Sequence, residues 1–205
     1  MLRGASAVMA AGLVVGATTA CGSTPVAPTT VAPAEFKVLS DAADGYAIAV
    51  PNAWQEMPLN PDLEVFDPAT NRIRIANPKL ASAIVLARII AGSGGQMMAV
   101  DPEGKVSVNL TTGPAESDDL QKVSAGIIAA QIKNGSTPPQ AARTTIAGEP
   151  AVRLAFESTV ATDDGDIRTS QIQHIFHHNK MTYILTAMNA DEQLANTIAT
   201  SLRLR

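Results

Sequence analysis

The sequence predicts an α+β domain, an antiparallel sheet with two amphipathic helices packed on it. Three observations carry this. Segments in which apolar and polar residues alternate recur through residues 35–205, set apart by turns rich in Gly, Pro, Asn and Asp. The apolar period changes to that of a helix in two places, around residues 117–134 and from Asp191 onward. The strands between those two helices follow one another through short turns, which makes hairpins rather than the crossovers of a doubly wound sheet.

In chain order, residues 1–20 come first. Arg3 is followed by an uncharged apolar run from Ala5 to Ala20, shorter than a bilayer span of ~20 apolar residues. A basic start, an apolar middle and a small-residue end is the build of a secretory signal peptide. Cys21, the one cysteine of the chain, stands where that run ends. Residues 22–34, Gly-Ser-Thr-Pro-Val-Ala-Pro-Thr-Thr-Val-Ala-Pro-Ala, offer nothing large to bury and read with Cys21 as an extended, semi-rigid tether. One globular domain, residues 35–205, follows.

Within it, Tyr46, Ile48 and Val50 alternate with alanines as a half-buried strand, bounded by Asp44-Gly45 and Pro51-Asn52, and Trp54 reads as a core plug at its end. Residues 63–66 and 71–76 read as short strands separated by Asp67-Pro68. The apolar run from Ile84 to Ile90, β-branched and ended by Gly92-Ser93-Gly94-Gly95, reads as a buried strand, and residues 105–111 as another. The first helix has Ser117 as its N-cap, Leu120, Val123, Ile127 and Ala130 on one face, and Asn134-Gly135 as its stop. Strands are expected at 144–146, 151–160, 167–178 and 181–188, with Asp163-Asp164-Gly165 and Asn179-Lys180 as hairpin turns. The last helix carries Leu194, Ile198 and Leu202 as its apolar stripe and is expected to close on Arg203 and Arg205.

Composition narrows the function. The net charge is −4 with 17% charged residues, and no basic patch is present to hold nucleic acid. Aromatic residues make up 3% of the chain, few for stacking bases or sugars. His174, His177 and His178 share one strand and its turn. His174 and His178 lie on one face ~13 Å apart and His177 on the other, so they read as surface histidines and not as a zinc site. Asp163, Asp164 and Asp166 lack the distal Glu of a calcium loop, and Gly92–Gly95 lacks the Gly-Lys-Ser/Thr of a phosphate loop. There is no Gly-x-Ser-x-Gly elbow. Met97, Met98, Met181 and Met188 fit core filling better than the lining of an adaptable pocket. No catalytic residue, cofactor or metal is therefore expected.

Two resemblances add to this. Thr18-Thr19-Ala20-Cys21-Gly22 resembles the lipobox of bacterial lipoproteins, departing at Thr18, where Leu is usual. It implies a diacylglycerol on the Cys21 sulfur, cleavage before Cys21, and a membrane partner through that anchor. The run Tyr46-Ala-Ile-Ala-Val-Pro-Asn-Ala-Trp54, the segment Gly148-Glu-Pro-Ala-Val-Arg153 and the strand Met181-Thr-Tyr-Ile-Leu-Thr186 are similar to PsbP/Mog1-like domains. With the lipobox and tether, the whole resembles the mycobacterial Lpq-type (LpqN/LpqT-like) lipoproteins. That resemblance implies an α/β/α sandwich and an extracytoplasmic accessory or binding protein for an envelope protein, a transport partner or a glycolipid. The other readings are an anchored envelope hydrolase and a structural surface protein without a small ligand. Under the lipoprotein reading, Cys21→Ala is expected to release the protein to the medium or to leave the precursor uncut. Fractionation and mass measurement check this, and unchanged membrane retention with unchanged mass would overturn it.

Overall fold

The computed structural model describes residues 35–41, 45–60, 62–162 and 165–205. The leader, Cys21 and the tether lie outside the described residues, as do Asp163 and Asp164.

Two antiparallel sheets make the domain. The smaller holds β1 (Phe36–Asp41), β2 (Tyr46–Pro51) and β10 (Arg203–Leu204) in the order β1-β2-β10. The larger holds β3 (Gln55–Glu56), β4 (Gly95–Val100), β5 (Ser107–Pro114), β6 (Gln140–Ile146), β7 (Glu149–Thr162), β8 (Gly165–His178) and β9 (Met181–Met188). Its seven strands run in the order β3-β4-β5-β9-β8-β7-β6. Four helices complete it: α1 (Leu63–Ala76), α2 (Ala81–Gly92), α3 (Leu120–Lys133) and α4 (Glu192–Ser201). The α+β class, the antiparallel pairing and the two expected helices stand, and two further helices join them.

Both added helices replace expected strands. Residues 63–76 form α1 and not two strands. Asp62 caps it by accepting the Glu64 N–H at 2.9 Å, and Phe66, Thr70 and Ile73 fall on one face at helical spacing. Pro68 sits in the second turn, where it removes only the N–H that would meet the carbonyl of the exposed Glu64. Residues 84–90 belong to α2, whose buried face is Ala83, Ala87 and Ile90. Ala81, Ala83, Ala87 and Ala91 are the helix formers that outweigh the β-branched run. The glycines after it make a tight turn into β4. Gly94 has φ of 79°, and a Cβ on Gly95 would collide with the Ile90 side chain and carbonyl.

Helix α3 is capped by Asp119, which accepts the N–H groups of Gln121 and Lys122, and not by Ser117, whose Oγ accepts from Asp119 instead. Leu120, Val123, Ile127 and Ile128 pack inward, while Ala130 is exposed. Asn179 and Lys180 both take positive φ in the two-residue turn joining β8 to β9. Helix α4 ends at Ser201, two residues short of Arg203; Leu202 leaves the helix and Arg203 enters β10.

Each face of the large sheet has its own cover. On the first face, Met97, Ala99, Val108, Leu110, Ala151, Phe176, Tyr183 and Leu185 form one core with Ile48 and Val50 of β2, Trp54, and Ile198, Ala199 and Leu202 from α4 and its end. On the second face, Met98 and Val100 meet Phe66, Leu80, Ala83 and Ala87 under α1 and α2. Val152, Leu154, Phe156 and Ile175 meet α3. Helices above and below one sheet make the expected sandwich, with the small sheet extending its lower layer.

Candidate functional site

On the second face α2 packs over β4 and β5, α3 packs over β7 and β8, and β9 lies between. The register there sets Asn109 of β5 opposite Thr186 of β9, and Thr186 opposite Gln173 of β8. These three uncharged polar side chains form one row across three neighbouring strands, bounded by Met98 on the α2 side and Leu154 on the α3 side. All three are buried, at 5%, 6% and 7% exposure. Along the strands the polar band continues through Ser107, Thr169, Gln171 and Thr182, while Thr111, Gln171 and Ile184 on the same face are half-exposed and open it to solvent.

Hydrogen bonding within the band stops short. The Gln171 amide nitrogen donates to Ser158 Oγ and, at 3.3 Å, to Thr169 Oγ1; Ser158 and Thr169 share a further bond of 3.0 Å. Gln173 Nε2 donates weakly to Gln171 Oε1 at 3.5 Å. Gln173 Oε1 is buried and has no partner, and neither has Nε2 of His177 on the same face. A buried acceptor left unmade costs ~1–3 kcal/mol, which makes Gln173 Oε1 an exception in this core. Beside it, a small cavity of about 60 Å³ lies under α2, lined by Val85, Leu86, Ile89, Val100, Ser107, Thr169 and Met188. The site thus offers neutral donors and acceptors on its floor and aliphatic side chains on one wall. Asn109, Gln171 and Gln173 were not foreseen; the signal was Ser107-x-Asn109 and Gln171-x-Gln173, polar at the period at which a buried sheet face should be apolar.

A larger open cleft of about 860 Å³ runs between α1 and α2 and includes Phe66, Asp67, Thr70, Arg74, Ser82 and Arg88. Arg88 bonds Asp67 at 3.1 Å and stands over the Phe66 ring, and Arg74 donates to the Asn71 amide oxygen at 2.8 Å. The sheet-face band, with its unmet acceptor, is the better candidate.

The histidines divide as their strand positions require. His174 is not a surface residue: it lies 2% exposed on the first face, opposite Arg153 of β7 and Leu185 of β9. Burial, and secondarily the Arg153 charge, lower its pKa to about 4. Arg153 itself bonds Glu192 at the start of α4, at 3.1 Å. His178 has both ring nitrogens engaged, Nδ1 with Glu149 at 2.9 Å and Nε2 with the Asn179 amide at 3.0 Å, and no serine joins them. Among the described residues no three His, Cys, Asp or Glu side chains converge on a metal position. Met97 and Met98 point to opposite faces and fill separate cores, Met188 lines the small cavity, and Trp54 is buried in the first core. Among the described residues no helix is long and apolar enough to cross a membrane.

No protein-family model and no curated protein matches the chain. Solved structures do. The cyanobacterial PsbP protein of Synechocystis superposes with a TM-score of 0.52 at 14% identity, over 87% of this chain and 96% of that one. A protein of Bacteroides thetaiotaomicron gives 0.47 at 10% identity, over 83% of this chain and 49% of that one. LpqN of Mycobacterium tuberculosis, described as involved in cell envelope biogenesis, gives 0.38 at 12% identity, over 82% of this chain and 90% of that one. The likeness to PsbP is one of fold alone: the domain has a PsbP-like fold.

Proposed function

We propose that this chain is an extracytoplasmic lipoprotein of the Lpq type, anchored through Cys21, and that its domain is a non-catalytic binding module. The ligand it fits is amphipathic, with a neutral hydroxyl-rich head such as a glycolipid offers. The observation that carries this reading is the buried, unpartnered Gln173 Oε1 in the row Asn109–Thr186–Gln173. A sugar hydroxyl donates to that oxygen and accepts from the neighbouring amides and hydroxyls, and an alkyl tail lies against Val85, Leu86 and Ile89. No charged side chain occupies the row itself, and Lys105 stands at the rim of the adjoining cavity. The leader, cysteine and tether support the placement outside the cytoplasmic membrane.

The test is titration of the protein with an alkyl glycoside below its micelle concentration, followed by amide chemical shifts. Saturable shifts at Asn109, Gln173 and Thr186 are expected, with affinity lost several-fold in Gln173→Leu while its melting midpoint holds or rises. Shifts spread evenly over the surface, or equal affinity of Gln173→Leu, would overturn the reading.

A further inference from the structure

Strands β7 and β8 outrun their neighbours. They pair with each other from Ala151↔Phe176 to Thr162↔Gly165, yet β6 stops at Gln140 opposite Ala155 and β9 stops at Met188 opposite Gln171. Thr137 and Asn189 each hold one residue further, Glu157 and Ser170. Beyond them, from Ser158↔Thr169 outward, no strand pairs with either outer edge of this arm among the described residues. A two-stranded ribbon in water is marginal, and its open edges are templates for another strand.

The β8 edge has a defined direction. Asn189 donates its N–H to the Ser170 carbonyl at 2.8 Å and accepts the Ser170 N–H on Oδ1 at 3.0 Å. Backbone groups alternate along a strand, so Asp166 and Arg168 turn theirs the same way, past the point where β9 has ended. A second copy paired antiparallel on this edge has three close two-fold registers. One sets Asp166 against Asp166 and another sets Arg168 against Arg168. The third sets Asp166 opposite Arg168 of the second copy, on both sides of a two-fold axis through Ile167. Only the third pairs unlike charges without setting like charges face to face, and it forms four backbone hydrogen bonds between residues that already face outward. The β7 edge, Ser158 to Thr162, carries no charge to choose a register.

We infer that the β7–β8 arm is a self-association element, joining two copies of this chain through Gly165–Thr169 in the register Asp166↔Arg168. A contact of a few residues per copy falls below the ~1,200 Å² of a stable dimer, so the association is weak and best read by site-specific crosslinking. At a non-hydrogen-bonded antiparallel position the two Ile167 Cα atoms stand ~4.5 Å apart, within disulfide reach.

The test uses the full chain with Cys21→Ser, so that the introduced cysteine is the only one. Ile167→Cys is expected to give a disulfide-linked dimer on mild oxidation, while Val160→Cys, its cross-strand partner on the opposite edge, stays monomeric. In the Ile167→Cys chain, Asp166→Arg or Arg168→Asp alone puts like charges face to face and lowers the dimer yield several-fold. Mixing the two single variants restores it, since each arm then complements the other. Unchanged melting midpoints show that the fold is intact. Equal crosslinking at Val160 and Ile167, or a yield indifferent to the charges, would overturn the inference.

Discussion

Ile198→Asp is expected to lower the stability of the domain by about 4 kcal/mol or more, enough to leave it largely unfolded at moderate urea. Ile198 is 0% exposed and packs with Ile48, Val50 and Leu202 in the core between the two sheets. Removing its side chain alone forfeits ~1.5–3 kcal/mol of burial. A carboxylate in its place adds the cost of burying a charge against the aliphatic Ile48, Val50 and Leu202. Gln193, five residues earlier and exposed, is the control: Gln193→Ala should leave the urea midpoint within a few tenths of a molar. Equal midpoints for the two variants would mean that α4 is not docked and that the lower layer is wrong.

Acid should weaken the fold through His174. Its folded pKa is about 4, lowered by burial and then by Arg153, against 6.5 in the unfolded chain. Between those values the unfolded state binds the proton and the folded state refuses it. The stability that depends on a neutral His174 is therefore complete above pH 6.5, declines as pH falls below it, and is fully lost near pH 4. The difference of about 2.5 units amounts to about 3 kcal/mol. Urea melts from pH 7 to pH 4 should show this slope, and His174→Phe should remove most of it while leaving the carboxylates unchanged. An identical pH slope in wild type and variant would show that other groups govern acid sensitivity.

The sequence made the hairpins plain because they are local. Asn179-Lys180 between two alternating runs specifies β8 and β9, and the stripe Leu194, Ile198, Leu202 specifies the docked face of α4. Elements whose identity depends on distant partners were misread. Asp67-Pro68 looks like a break until Phe66, Thr70 and Ile73 are seen to share a helical face. Ile84 to Ile90 looks like a strand until Ala83 and Ala87 are given Met98 and Val100 to pack on. The candidate site was still less visible. Thr182, Ile184 and Thr186 announce an unusual sheet face, but the row needs β9 to lie between β5 and β8, strands more than sixty residues apart in the chain. Residue spacing along one strand carries no trace of that order.

The last residues have a consequence for how the chain is made. Arg203 and Leu204 pair with Ala47 and Tyr46, and the Arg205 N–H reaches the Gly45 carbonyl at 2.9 Å. Strand β2 is thus left with one open edge until residues 203–205 have been made. Ile48 and Val50 likewise wait for Ile198 and Leu202 before their core can close. Contacts between residues this far apart in sequence form slowly, and none of these can form before residues 198–205 have left the ribosome. The small sheet and the core beside it are therefore kept from their native state until that late stretch of the domain has emerged, while the hairpins of the large sheet can pair as they appear.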